Sequence, residues 1–418
     1  MSSSLQSIFR DHFPRYAQGR ELHAREWRAA SAIMNCHSAE LGGHVLTCSA
    51  GHYSHVQYNA CRHRSCPQCA DRPRQAWVQA QLKQLLPCEH FHAVFTLPHD
   101  FIALWEFNRT KLNALLFDCA RLSLLELCRD ERHLGATPGI IMALHSWGRT
   151  LSLHPHVHCL VSAGGLDAKN EWRASRAGYL VPVKALAWLF RGKLLHHLKR
   201  AITEHRLQLP PQQDAQHWLS CIRQQYRKHW NVQLAQRYQH GRGVALYLAR
   251  YVKGGPLSHQ RTLHSDEHTV RFGYTDHRDG QRKNMTLAAA EFISRVLWHA
   301  PPRGQHMVRH CGLYSTAAKA QHQRATQLLH PTPIPIPAHA LACHHLEPAP
   351  KPRCPKCHGA LERTLSVLPV HRLGEISIDL PRTAALSPGP TGRSSGQTTA
   401  GDVSSLRRRF WRRCSPLN

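Results

Sequence analysis

The sequence predicts an α+β fold built on an antiparallel sheet, with small zinc-binding modules attached. Strand-like and helix-like segments mix without a regular βαβ rhythm, which argues against a parallel sheet. A stretch dense in Cys and His, from Cys36 to Cys69, is poor in core-forming side chains and is expected to need metal to hold a shape. A second, smaller cysteine knuckle near the C-terminal end reads either as a small zinc centre or as a knuckle without metal on a flexible tail. At 418 residues the chain has room for two or three domains around a sizeable core.

Residues 5 to about 35 carry helical apolar spacing (Leu5, Ile8, Phe9, Phe13, then Leu22, Trp27, Ile33, Met34), and Pro14 is expected to split them into two helices. The Cys/His-dense stretch follows, from Cys36 to Cys69. Phe91 to Leu97 reads as a short strand stopped by Pro98, and Leu104 to Leu125 as one long amphipathic helix. Gly139–Trp147 and His156–Ser162 read as two strands joined by a short connection, the second ended by Gly164-Gly165. Residues 183–204 and about 215–237 look helical and basic. A short helix carrying Tyr247 and Tyr251 lies between Gly241/Gly243 and Gly254-Gly255-Pro256. Thr269–Thr275 alternates like a strand, and Leu287–Trp298 repeats like a helix. Alternating prolines from Pro331 to Pro337 make a stiff linker ahead of a second cysteine cluster. Beyond Leu380 the composition predicts disorder, ending in the basic-aromatic run Arg407–Arg413.

A net charge of +28 and a pI near 10.1 speak to partners rather than fold. They favour nucleic acid, through phosphate neutralisation and counterion release. A membrane is the weaker reading, since no run reaches about 18 apolar residues. No charged-apolar-small leader pattern is present, which implies a reducing, cytoplasmic compartment. The 15 cysteines therefore read as metal ligands or buried thiols rather than disulfides.

Cys66-Pro67-Gln68-Cys69 is a metal knuckle, and Cys48 lies upstream at the distance of a second ribbon half. Its partner position is Gly51, so His52 is the nearest substitute ligand. Cys36, His44, Cys61 and His63 are left over as candidates for another centre. Cys354-Pro355-Lys356-Cys357 forms a further knuckle, with Cys343 or His345 available to complete a small zinc site.

His154-Pro155-His156-Val157-His158 places alternating imidazoles on one strand face. His156 and His158 can reach one divalent ion, with His154 as a candidate neighbour. Three such rings are costly to bury unsatisfied, against incidental core histidines. Tyr247 and Tyr251, four apart on a helix, also share a face, roughly 6 Å between Cβ atoms. A metal facing tyrosines suits covalent phosphodiester cleavage, in which the ion polarises the phosphate and a phenolate attacks. Arg250 and Lys253 flank the phenols and are candidates for DNA contact.

Two known patterns match the histidine strand. One is the histidine-triad nucleotide hydrolase motif, completed by Cys159-Leu160-Val161; the other is the His-hydrophobic-His strand of HUH endonucleases. The tyrosine pair favours the second. Between about Cys36 and Ser315 the chain resembles the two-tyrosine, HUH-class, rolling-circle insertion-sequence transposases. The resemblance rests on Leu41-Gly42-Gly43-His44, Ser65–Cys69, Leu153–Val161, Tyr247–Tyr251, Glu291–Arg295 and Arg309–Leu313. Gly51 departs from it, where many relatives carry cysteine.

The resemblance implies an HUH nuclease core, a central antiparallel sheet with flanking helices, behind an N-terminal zinc-binding domain. It implies Mg²⁺ or Mn²⁺ on His156 and His158 and structural Zn²⁺ on the cysteine clusters. The substrates would be single-stranded DNA at element ends and target DNA. One tyrosine attacks, leaving a 5′-phosphotyrosine and a free 3′-OH; the second permits strand exchange. The expected organisation is N-terminal helices (1–35), a zinc-binding domain (36–75), the catalytic domain (85–315), a Pro-rich linker (316–342), a second knuckle (343–365) and a basic tail (366–418). A replication initiator or relaxase would share this chemistry, and a zinc-containing DNA-binding protein with a decayed nuclease is the non-enzymatic alternative.

Overall fold

The computed structural model describes residues 3–238, 255–257, 263–276, 279–329 and 352–370, and side chains to residue 234 in the first of these segments. The architecture is α+β with antiparallel sheets flanked by helices. No helix among the described residues is long and apolar enough to cross a membrane.

The chain opens with α1 (Leu5–Ala17) and α2 (Ala24–Asn35). Pro14 does not split the first helix, contrary to expectation; the chain turns only at Gly19, which has positive φ. Phe9, Phe13 and Tyr16 stay on one buried stripe, and that burial outweighs the one hydrogen bond Pro14 removes. Strands β1 (Gly43–Cys48) and β2 (Ser54–Tyr58) form a hairpin, and α3 (Asp71–Leu82) follows the cysteine loop.

The central sheet begins with β3 (His90–Thr96). The long amphipathic helix is in fact two, α4 (Ile102–Phe107) and α5 (Arg109–Arg129). Asn108 makes the break: its amide donates to the carbonyls of Leu104 and Gln208 and so leaves the helical path. Next come β4 (Thr137–Trp147), β5 (Leu153–Leu166) and the short β6 (Trp172–Ala174). Gly164 and Gly165 do not end β5. They let it pass close to its neighbours, since a Cβ on Gly164 would lie 2.4 Å from the Trp172 ring and one on Gly165 2.4 Å from the Thr137 carbonyl.

Helix α6 (Val183–Thr203) forms as the sequence predicts. Residues 215–237 do not form one helix: α7 (Ala215–Gln225) stops, and β7 (Val232–Tyr238) joins the sheet edge beside β3. The available backbone of β3 overrides local helical preference here. A second small sheet contains β8 (Leu263–Ser265), β9 (Thr269–Thr275) and β10 (Arg282–Ala288). Then follow α8 (Ala289–Trp298), β11 (Val308–Gly312), α9 (Lys319–Leu329) and β12 (Leu361–Val367). Helix α9 lies where the linker was expected to begin; its buried Ala325 packs on the sheet with Leu313 and Leu160.

The central sheet has the order β11-β4-β5-β3-β7, with β6 on β5, and every pairing is antiparallel. One face, carrying Phe95, Met142, Leu144, Val157 and Val161, packs on α5, α6 and α7 to make the main core. Residues 90 to 96 of β3 and 156 to 162 of β5 alternate about this division, so the opposite face receives His92, His156 and His158. A second core joins α1, α2 and α8 to the β8–β10 sheet.

Candidate functional site

The β4–β5 hairpin builds the histidine cluster. Its turn is closed by Gly148 donating to the Ser152 carbonyl at 2.9 Å, which brings His145 directly opposite His156. His158 is the next residue on that face, two positions along β5 and opposite Ala143. The donor atoms of His145, His156 and His158 all lie within 4.8 Å of one another, close enough for one ion. Ring centroids are separated by 5.2 Å for His145–His156, 4.1 Å for His145–His158 and 4.7 Å for His156–His158.

Neighbouring groups aim these rings. Nδ1 of His156 bonds the carbonyl of His154, which leaves Nε2 for a ligand. Nδ1 of His158 is 2.8 Å from Nε2 of His92 on β3, and the two rings stack. Burial pushes His156 and His92 down to about 4, and His145 and His158 well below the ordinary histidine value, with adjacent imidazoles adding to the effect at His145, His156 and His158. At neutral pH these rings are uncharged and present lone pairs, the form in which imidazole binds a cation.

The Glu291–Arg295 motif fixes the hairpin turn from α8. Arg295 pairs with Glu291 at 2.6 Å and donates to the Thr150 carbonyl at 2.9 Å. His299 at the end of α8 reaches the Leu151 carbonyl at 3.1 Å and Ser146 Oγ at 3.2 Å. The Arg309–Leu313 motif supplies β11, and the following Tyr314 hydroxyl bonds His90 Nε2 at 2.6 Å and accepts from the Leu86 N–H. Both motifs therefore brace the sheet.

Of the residues singled out in the sequence, His156 and His158 come together as expected. His154 is exposed at the strand end and is not part of the converging set, although its ring centroid is 4.9 Å from that of His156. His145 takes that place and was missed. The signal was present: residues 139–147 and 156–162 are both legible as strands, and folding them about a short turn pairs His145 with His156. Tyr247, Tyr251, Arg250 and Lys253 lie outside the described residues.

The cysteines sort differently from the sequence expectation. Cys66 and Cys69 join Cys36 and Cys61, with all four sulfurs mutually within 4.8 Å. Cys36 Sγ is 3.4 Å, and Cys61 Sγ 3.6 Å, from Cys69 Sγ. The adjacent Cys61 thiol draws Cys66 downward and is itself raised by that partner and by burial. Cys48 and His52 instead group with Cys354 and Cys357. His44 and His63 belong to neither group; His44 sits near the start of β1, opposite Ser366, and His63 Nδ1 accepts the Ser65 N–H at 3.2 Å. Cys343 and His345 lie outside the described residues. Four-sulfur and three-sulfur-one-nitrogen sets are structural zinc chemistry.

Comparison with known proteins gives a consistent picture. Residues 139–322 match a family described as "Putative transposase", and residues 8–97 match a "Transposase zinc-binding domain" of the IS91 type. "Putative transposase y4qJ" of Sinorhizobium fredii is 32% identical over 377 residues, covering 86% of this chain and 94% of that protein. The "Transposase for insertion sequence element IS801" of Pseudomonas savastanoi pv. phaseolicola is 32% identical over 321 residues, covering 74% of this chain and 76% of its own length. No solved structure matches.

Proposed function

The chain belongs to the insertion-sequence transposases of the IS91/IS801 type, and from that premise we propose that it cuts and rejoins single-stranded DNA by metal-assisted tyrosine attack. The observation that carries the reading is the convergence of His145, His156 and His158 on one sheet face inside the transposase match. Three neutral imidazoles fit a divalent transition ion, and Mn²⁺ suits this nitrogen set better than Mg²⁺, which prefers oxygen. When bound, the ion supplies Lewis-acid polarisation of the scissile phosphate.

His156 and His158 hold their rings in place through the His154 carbonyl and His92, and His145 completes a three-sided set. His154 is then a flanking group rather than the third ligand. Tyr247 or Tyr251 supplies the nucleophile: its phenolate oxygen bonds to phosphorus while the P–O3′ bond breaks and the departing oxygen gains a proton. The products are a 5′-phosphotyrosine and a free 3′-OH. Returning attack by a 3′-OH regenerates the phosphodiester and the phenol, so no energy cofactor is consumed. The second tyrosine lets one site hold donor and target strands in turn. Arg250 and Lys253 are placed by sequence to neutralise phosphate, and the +28 charge supports binding to DNA of element end and target. The protein would act in the bacterial cytoplasm, bound to the nucleoid. The same chemistry would serve a relaxase, but the named relatives favour transposition.

The test is cleavage of labelled single-stranded element ends with Mn²⁺. Replacing His156 and His158 together with alanine should abolish cleavage and leave zinc content and DNA binding near wild type. Undiminished cleavage would remove the metal site from the mechanism.

A further inference from the structure

The grouping of Cys48 and His52 with Cys354 and Cys357 joins the two ends of the described chain. The zinc-binding-domain match stops at residue 97 and the transposase match at 322, so the C-terminal pair lies beyond both. Cys48 Sγ is 3.4 Å from Cys357 Sγ across 309 sequence positions, and 4.0 Å from His52 Nδ1. All four donor atoms fall within 4.8 Å.

Each half has the backbone of a metal knuckle. In the first, Gly51 donates to the Cys48 carbonyl at 2.8 Å and takes φ +70°, a turn that favours glycine and delivers His52 as the ligand. In the second, the Cys354 N–H donates to the Gly359 carbonyl at 2.8 Å and the His358 N–H to the Cys354 carbonyl at 2.9 Å, a tight turn that carries both cysteines. Strand β12 leaves this second turn and pairs antiparallel with β1 from Cys48↔Leu361 to Gly43↔Val367, making a three-stranded sheet with β2.

We propose that Cys48, His52, Cys354 and Cys357 bind one zinc ion, forming a discontinuous zinc ribbon into which the transposase region is inserted. Three thiolates and an imidazole are a closed, tetrahedral zinc set. The Cys48–Cys357 separation of 3.4 Å is too long for a disulfide, whose bond is about 2.05 Å. It is near the ~3.8 Å edge of a tetrahedron with ~2.3 Å Zn–S bonds. Among the described residues the buried apolar cluster here consists of Leu46 and Leu361 beside Cys48 and Cys354, while most of β12 is exposed. So small a core does not hold two strands together, and metal binding supplies the missing folding energy. It follows that the N-terminal module is completed only when the C-terminal knuckle arrives, and that truncation before Cys354 undoes it.

The test uses the full chain. Cys48→Ser alone and Cys354→Ser/Cys357→Ser together should each lower zinc by one equivalent relative to wild type. The triple variant should lose the same single equivalent, because all three residues serve one ion. Amide exchange across Leu361–Val367 should rise in Cys48→Ser, although that change lies far away in sequence. As a variant that keeps the site, His52→Cys should retain zinc, and its cobalt derivative should show stronger thiolate charge-transfer absorption than wild type. Additive zinc losses, unaltered zinc in either half-site variant, or an unchanged cobalt spectrum would overturn the proposal.

Discussion

His92 of β3 holds His158 of β5 by a ring-to-ring hydrogen bond of 2.8 Å, with both side chains buried and stacked. If His158 binds metal through Nε2, its Nδ1–H donates to His92 Nε2, which fixes both tautomers. His92→Phe keeps an aromatic ring, a somewhat larger one, and removes that acceptor. It should weaken Mn²⁺ binding about 10- to 100-fold and lower stability by about 1–3 kcal/mol, since a buried His158 N–H loses its acceptor, while leaving zinc content unchanged. A Mn²⁺ titration equal to that of wild type would show that His92 only fills space.

His145 should matter more. Its ring faces both His156 and His158, at 5.2 Å and 4.1 Å between centroids. His145→Asn should reduce Mn²⁺ affinity and strand cleavage by more than the ~100-fold upper limit for an outer-shell partner, whereas His154→Asn should have a small effect. The opposite ranking, measured by Mn²⁺ titration of both variants, would restore His154 as the third ligand.

How far the site was legible depends on where its partners lie. The alternation in residues 156–162 marks β5 and the face of its histidines without help from other segments. His145 needed the register across the hairpin, which a single strand does not carry. The cysteine groups needed still longer pairings: Cys36 with Cys69, and Cys48 with Cys357, are brought together only by the tertiary fold. Residues 226–237 have helix-compatible composition, yet 232–238 became strand because β3 offered an open edge. Gly164-Gly165 resembles a terminator in sequence, and only the proximity of Trp172 and Thr137 shows why glycine is required within a continuing strand.

That close approach is testable. Gly164→Ala would place a Cβ 2.4 Å from the Trp172 ring and 2.7 Å from the Arg173 carbonyl. It should destabilise the protein by about 1–3 kcal/mol. Trp172→Ala, added to it, should recover only the ring part of that cost because the backbone clash remains. A Gly164→Ala protein that unfolds at the wild-type denaturant concentration would mean that β5 ends before this point.

Acid should destabilise the fold through buried histidines. His90 is fully buried, and desolvation lowers it from 6.5 to about 4. As pH falls, the unfolded chain takes up a proton near 6.5 while the folded protein does not. The stabilisation is therefore complete above about 6.5, declines as pH falls, and is exhausted near 4, a change of about 3 kcal/mol for this group. His90→Gln should flatten the dependence of unfolding free energy on pH between these limits. An unaltered slope would show that His90 does not titrate in this way.

The most direct test of the mechanism is recovery of the covalent intermediate. Purified protein incubated with a labelled single-stranded element end and Mn²⁺ should give a denaturant-resistant adduct. Peptide mapping should place the DNA 5′-phosphate on Tyr247 or Tyr251. The Tyr247→Phe/Tyr251→Phe protein, which keeps both rings and loses only the nucleophilic oxygens, should bind the same DNA and form no adduct. An adduct of equal yield from that double variant, or phosphate recovered on a histidine of the wild type, would contradict the account.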